Sequence, residues 1–384
     1  MREVLERVER WLAAGEPVAV ATVVRTWRSA PRAVGAALAV GPGGEVVGSV
    51  SGGCVEGAVY ELAGQVLADG VPVLERYGVS DGDAFAAGLT CGGELDVFVE
   101  RLDRSNANLV RAATASVRAG EAVAVATVVR APDPAAAGRH LLVWPDRCAG
   151  SLGPERLDAA VTDDARGLLD AGASGLVRLG ADGERRRDEL AVFVASHAPP
   201  ARMLVYGAID TAAAVARLGS FLGFRVTVCD ARAVFTTPAR FPHADEVVVR
   251  RPHRHLREEV AAGRVDARTV VCVLTHDPGS DVPLLEVALR SPAGYVGAMG
   301  SRRTHEARLA GLRAAGLGPA ELARLSSPIG LDLGARTPEE TAVSIVAEVT
   351  ALRWGGSGAR LGSTAGRIHH DPDRPGLSSG DGTP

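Results

Sequence analysis

The sequence predicts a mixed α/β protein in which a duplicated α+β region is followed by a parallel, doubly wound sheet. Three observations predict it. The run AGEPVAVATVVR at residues 14–25 returns as AGEAVAVATVVR at 119–130, and the strand-like ELDVFV at 94–99 returns as ELAVFV at 189–194. From Met203 onward, short apolar runs rich in β-branched residues alternate with helical stretches, the pattern of strands joined by crossover helices. Finally, apolar residues make up 46% of 384 residues, enough to bury the cores of several domains.

In chain order, residues 3–14 read as an amphipathic helix with Val4, Leu5, Val8, Trp11 and Leu12 on one side. Strands follow at 18–25, 35–40 and 45–50, the last two joined by the turn Gly41-Pro42-Gly43-Gly44. A helix then runs to about residue 68, before strands at 71–78 and 94–102. The second copy runs from 106 to 197, and residues 1–105 form the first. At Ala198-Pro199-Pro200 the pattern breaks, since paired prolines suit a linker and not an element interior. A third domain spans 198–354. It ends in a helix whose start is signalled by Thr337 as N-cap, Pro338 at the first position and Glu340 at the third, a capping box. Residues 355–384, rich in Gly, Ser, Pro and Asp, read as a tail without an apolar face.

The most telling motif is Gly48-Ser49-Val50-Ser51-Gly52-Gly53-Cys54-Val55-Glu56, placed just before a helix. Two glycines let backbone N–H groups turn toward a guest. A cysteine at or just before a helix N-terminus sits among free N–H groups and partial positive charge, which bind anions and favour thiolate. Spacing alone would fit a glycine turn and a buried cysteine. The repeat shifts the balance. Where the first copy has Gly53-Cys54 the second has Glu155-Arg156, and where the first has Cys91-Gly92-Gly93 the second has Arg186-Arg187-Asp188. The apolar frame survives without either cysteine, so Cys54 and Cys91 point to chemistry or binding.

Composition excludes several classes. Net charge is −4 with no basic stripe, against a nucleic-acid platform. No apolar run is long enough to span a bilayer. The charged, helix-patterned start is unlike a signal peptide, and five scattered cysteines read as reduced thiols of a cytoplasmic protein. All 42 basic residues are Arg. Without lysine there is no Walker-type phosphate loop, no pyridoxal Schiff base and no Tyr/Lys hydride-transfer pair.

The third domain has the layout of a dinucleotide-binding, Rossmann-like fold: a strand at 203–206, a turn at Gly207, a helix, and a second strand ending in Asp230, where a ribose-binding carboxylate is expected. The fingerprint is altered, since Gly207-Ala208-Ile209-Asp210 has Ile where a glycine would admit a pyrophosphate and Asp where phosphates would sit. Other strand ends are polar. Thr275-His276-Asp277 follows the fourth strand, and Gly300-Ser301-Arg302-Arg303 follows the fifth and opens a helix that could hold a phosphate. His253 and His255 lack an evident third metal ligand and read as a surface stretch; no metal site is expected.

Taken together, these runs resemble the xanthine dehydrogenase accessory protein family, XdhC/CoxI. The resemblance is carried by the Gly48–Glu56 motif with Cys91-Gly92-Gly93, and by Thr275-His276-Asp277, Gly300-Ser301-Arg302-Arg303, the loop Pro328-Ile329-Gly330-Leu331-Asp332-Leu333-Gly334 and the helix opening at Thr337. It implies a soluble homodimer, a chaperone and not an enzyme, that binds molybdenum cofactor (molybdopterin). Such a factor helps a cysteine desulfurase to sulfurate the metal and inserts the cofactor into a molybdenum hydroxylase client, a xanthine, aldehyde or carbon monoxide dehydrogenase. The family's usual Rossmann turn reads Gly-x-Gly-His, from which Ile209 and Asp210 depart, and that weighs against NAD(P). The cofactor is a pterin dithiolene ending in a phosphate, so a binder needs pterin donors, an anion site and a soft group near the metal. On this reading Cys54 and Cys91 act at the metal end. Ser51, Gly52, Gly53, Glu56, Gly92, Gly93, Gly207, Asp230, Thr275, His276, Asp277, Gly300, Ser301 and Arg302 form the wider binding set. Two alternatives stand beside it: an NAD(P)-dependent oxidoreductase built on the third domain, and a thiol redox or sulfur-carrier enzyme using the two cysteines as a pair.

Overall fold

A computed structural model describes residues 2–27, 32–78, 93–185, 187–275 and 278–364. Cys91, Gly92, His276 and Asp277 lie outside the described residues. The chain divides into two compact units, Met1–Pro199 and Pro200–Pro384.

The first unit holds two copies of one topology. Copy one comprises α1 (Arg2–Ala13), β1 (Val18–Trp27), β2 (Ala37–Val40), β3 (Val46–Gly48), α2 (Glu56–Asp69), β4 (Val73–Tyr77) and β5 (Glu94–Leu102). Copy two comprises α3 (Ala107–Ala119), β6 (Val123–Arg130), β7 (His140–Val143), β8 (Cys148–Gly150), α4 (Glu155–Ala171), β9 (Gly175–Leu179) and β10 (Leu190–His197). Both sheets are antiparallel, with orders β3-β2-β1-β5-β4 and β8-β7-β6-β10-β9. The alternation of Ala19, Ala21 and Val23 with Val20 and Val24 explains how each sheet buries both faces. The first set packs under α2 with Val59, Ala63 and Val66. Val24 faces the other way, against Phe98, Val129, Ala191 and Phe193 between the two sheets. Helix α1 buries Val4, Val8, Trp11 and Leu12 on that inner side, and α4 covers the outer face of the second sheet.

One irregularity recurs. In β1 the pairing with β5 shifts between Val23 and Arg25, and in the second copy the pairing of β10 with β6 shifts so that Val192 faces Val128 and Ala191 faces Arg130. Each shift is a β-bulge, which adds a residue to one strand and re-aims the side chains that follow. It carries β1 on to Trp27, beyond the strand end expected at residue 25.

The second unit comprises β11 (Arg202–Tyr206), α5 (Asp210–Phe221), β12 (Arg225–Asp230), β13 (Glu246–Val249), α6 (Pro252–Ala261), β14 (Val270–Val273), α7 (Pro278–Arg290), β15 (Tyr295–Ala298), α8 (Arg302–Ala314), α9 (Pro319–Leu322), β16 (Leu325–Ser326) and α10 (Pro338–Trp354). Its sheet is fully parallel in the order β13-β12-β11-β14-β15-β16, with an apolar core on each face. Such a sheet is Rossmann-like, and its near-continuous apolar strands are what burial on both faces requires. The expected capping box is present: Glu340 N–H donates to Thr337 Oγ1 (3.2 Å) and Thr337 N–H to Glu340 Oε2 (3.1 Å). The histidine pair departs from the surface reading. His255 is buried, with Nδ1 3.1 Å from the Tyr206 hydroxyl, because it lies on the inner side of α6. Among the described residues no group of three His, Cys, Asp or Glu is placed to hold a metal, and no helix is long and apolar enough to cross a membrane.

Candidate functional site

The Gly48–Glu56 motif forms a loop that closes around a carboxylate of its own. Glu56, the first residue of α2, turns back and accepts the N–H groups of Ser51 (2.9 Å), Gly52 (2.9 Å), Gly53 (2.7 Å) and, more weakly, Val50 (3.3 Å). The Ser49 hydroxyl adds a bond at 2.7 Å, and the Ser51 hydroxyl a second, very short one. Gly52 and Gly53 have φ of 79° and 123° with open space where a Cβ would stand. What demands glycine is therefore the left-handed backbone that aligns the N–H groups, not crowding. Burial alone would raise the Glu56 pKa. The hydrogen bonds from Ser51, Ser49 and the backbone outweigh it and bring the pKa down to about 2.

This corrects one expectation. The N–H groups of Gly52 and Gly53 are not turned to a guest; they are committed to Glu56, because a carboxylate four or fewer residues away fills the anion hollow the glycines create. The second copy keeps the arrangement in reduced form: Asp158, at the position of Glu56, accepts the Leu152 N–H at 2.7 Å. A carboxylate clamp is thus part of the frame in both copies. Cys54 is not, since Arg156 stands in its place. The Cys54 thiol is free and half-buried beside the core of the first copy, two residues ahead of α2.

Topology brings further segments to this end of the sheet. β1 ends at Trp27, β3 at Gly48 and β4 at Tyr77, while β5 begins at Glu94 opposite Trp27. The connection that carries Cys91 leaves after Gly78 and rejoins at the buried Gly93, so it starts and finishes at the end where the Cys54 loop emerges. A cavity of about 90 Å³ between the two sheets has mostly apolar walls, among them Val20, Phe98 and Val129, and does not include the Cys54 loop.

In the second unit the polar groups at the strand ends are tied to one another. Asp230 accepts the Ala208 N–H at 2.7 Å and holds the Arg232 guanidinium at 3.0 and 2.7 Å. Burial works against its charge, but these bonds lower its pKa, and the residue is 4% exposed. Asp230 therefore ties the Gly207 turn to the end of β12 and is not directed to a ribose. Ile209 caps α5 without a side-chain bond, and Asp210 is paired with Arg240 at 3.1 Å. Thr275 donates its hydroxyl to Asp281 at 2.5 Å. Asp281 in turn pairs with Arg308 at 2.6 Å, and Arg308 donates to the Met299 carbonyl at 2.6 Å. Sequence reasoning missed Arg308. Its only signal was a position six residues into a helix whose exposed arginines, Arg302 and Arg303, looked more useful. Gly300 is small because a Cβ there would meet Arg308 Nη1 at 2.9 Å. Ser301 caps α8 through the Thr304 N–H (3.1 Å), and Arg302 is exposed beside it.

Known proteins share this duplicated frame and the sheet that follows it. The XdhC and CoxI family matches residues 11–78 and 116–180, one stretch in each copy of the repeat, and the XdhC Rossmann domain matches residues 203–349. The chain belongs to the XdhC and CoxI family. A probable xanthine dehydrogenase subunit of Bacillus subtilis (strain 168) is 25% identical over 88% of this chain and 94% of its own length. The molybdenum cofactor insertion chaperone PaoD of Escherichia coli (strain K12) is 26% identical over 92% of this chain and 88% of its own. The crystal structure of a xanthine dehydrogenase from Bacillus halodurans has the same fold, with a TM-score of 0.67 at 23% identity over 94% of this chain and 97% of that one.

Proposed function

We propose that this XdhC/CoxI family member is an accessory protein that takes up molybdenum cofactor as cargo, presents it for sulfuration by a cysteine desulfurase, and delivers it to a xanthine dehydrogenase-type molybdenum hydroxylase. The observation that carries the reading is the asymmetry of the repeat. Both copies keep the sheet, the bulge and the carboxylate clamp, and the first alone keeps a cysteine on the clamped loop. Likeness to a molybdenum cofactor insertion chaperone supports the choice of cargo.

On this reading the cargo supplies molybdenum, a dithiolene and a phosphate. Cys54 offers a soft sulfur to the metal end, with Cys91 as the second thiol. The Glu56 clamp fixes the backbone from which Cys54 projects, so the thiol is positioned before cargo arrives. In the second unit the exposed Arg302 and the capped start of α8 offer an anion site, to which the segment Thr275-His276-Asp277, after β14, belongs on the same reading. Turnover is not required of any residue. Action in the cytoplasm and as a homodimer belongs to the same proposal.

The test is co-elution of purified molybdenum cofactor with the intact protein and with Cys54→Ala on a sizing column. Retention by the first and loss by the second is expected. Equal retention and equal activation of a client by both would remove Cys54 from the mechanism, and retention by neither would end the cargo reading.

A further inference from the structure

Outside the clamped loop, the first unit gathers four arginines where its two sheets meet. Arg25 stands just past the bulge of β1 and Arg130 just past the matching bulge of β6. Arg76 and Arg178 are each the fourth residue of a five-residue strand, β4 and β9. The duplication that lost the cysteines has therefore kept both arginine positions. Register puts Arg25 and Arg76 opposite Asp96, on the face of β5 that carries Phe98 and Glu100 toward the second sheet.

Their charges are not balanced. Arg76 pairs with Asp96 at 2.8 Å, with Glu94 also near it. Arg130 and Arg178 share one carboxylate, Asp188, each at 2.5 Å. The Arg25 side chain makes no hydrogen bond or ion pair among the described residues. Its guanidinium lies over the Trp27 ring at 4.2 Å, and that of Arg76 lies over the same ring at 4.5 Å. Burial and then repulsion by the nearby Arg178 depress the Arg25 pKa; Arg76 adds to this, and Asp96 and Asp188 offset only part of it. A ring between two cations offsets part of that repulsion and fixes both planar groups in place.

We propose that the Arg25–Trp27–Arg76 junction, completed by Arg178 of the second copy, is an anion site for the phosphate or pyrophosphate group of an ester ligand. Free donors of Arg25 in a fixed plane match two oxygens of one phosphate, and such charge-assisted pairs are the strong ones. A site shared by both copies also accounts for the bulge, which brings Arg25 onto the inner face. This inference does not rest on the cargo being molybdenum cofactor, nor on Arg302.

Titration calorimetry of the full chain with inorganic pyrophosphate and with ADP, at fixed ionic strength, tests it. Saturable binding is expected, weakened by roughly tenfold or more in Arg25→Gln, the loss of one charged hydrogen-bonding partner, and less in Arg25→Lys. Beyond its stacking on Trp27 the Arg25 side chain makes no hydrogen bond or ion pair among the described residues, so its variants should melt close to the wild type. Arg217→Gln, at an exposed arginine of α5 to which no binding role is given, should bind as the wild type. Tighter binding of ADP than of pyrophosphate identifies the ester as the ligand, and equal binding identifies the bare anion; both support the site. Absence of binding, undiminished binding in Arg25→Gln, or an equal loss in Arg217→Gln would overturn it.

Discussion

Glu56 reaches back from the first turn of α2 to take the Gly53 N–H at 2.7 Å, and so one carboxylate shapes the whole loop that presents Cys54. The loop's conformation is set by the chain itself and needs no ligand. Because the folded pKa of Glu56, about 2, lies below its ordinary value of 4.5, its contribution is fully present above pH 4.5 and is lost as pH falls toward 2. A shift of that size in a fully enclosed group would be worth about 3 kcal/mol, and solvent access reduces it to about 1–2 kcal/mol. Glu56→Gln should remove this acid-sensitive component and speed amide hydrogen exchange at Gly52 and Gly53 at neutral pH. Unchanged exchange at both glycines would mean that the loop does not depend on the carboxylate.

The described cysteines should differ sharply toward an alkylating reagent. Burial, and then the adjacent Asp230, push the Cys229 thiol up to about 12, and burial does the same for Cys272. Cys148 is exposed and Cys54 half-buried. Since the thiolate is the reactive form, native protein at neutral pH should be modified at Cys148 and Cys54, with Cys229 and Cys272 modified only after unfolding. Peptide mass spectrometry reads this directly. Protection of Cys54 to the level of Cys272 would show that it cannot meet a cargo in this state.

How far the sequence could be read follows from what each signal encodes. The repeat announced two like sheets because apolar alternation survives duplication, and Thr337 with Glu340 announced α10 because a capping box is local chemistry. The fate of polar groups was harder to read. The Gly52-Gly53 pair signals a hollow lined by N–H groups, but only the fold reveals that Glu56 fills it. Asp230 sits where a ribose carboxylate would, yet its partner is a residue only two positions on, Arg232, which carries no motif of its own. Arg25 and Arg178 are far apart in the chain, one in each copy, and no local pattern could bring them together.

The Asp281–Arg308 pair should be the most sensitive polar contact of the second unit. The two side chains are 1% and 2% exposed, and they join the ends of β14 and β15 to α7 and α8. Removing one partner leaves a buried charge without compensation, at a cost of about 3–5 kcal/mol. Asp281→Ala should therefore lower the melting temperature of this unit by several degrees, while Arg302→Gln, on an exposed side chain of the same helix as Arg308, should leave it unchanged. Equal melting of the two variants would show that the pair is not what holds the strand ends.

Glu100 and His140 join the two copies across the inner face, with His140 Nε2 3.0 Å from Glu100 Oε2 and Nδ1 3.0 Å from Thr127 Oγ1. Burial disfavours the imidazolium, but the charge and hydrogen bond of Glu100 outweigh it, so the His140 pKa is raised above 6.5. A raised pKa in the folded state means that the pair's stabilisation is complete below about pH 6.5 and fades as pH climbs through the folded value. Glu100→Gln should cost about 1–3 kcal/mol at acid-neutral pH, where the buried imidazolium loses its counter-charge. The cost should shrink in alkaline solution, where His140 is neutral in both proteins. Melting curves of the two proteins across this range would then converge as pH rises. A gap that stays constant would assign Glu100 a packing role, and one that widens would reverse the sign of the coupling between the copies.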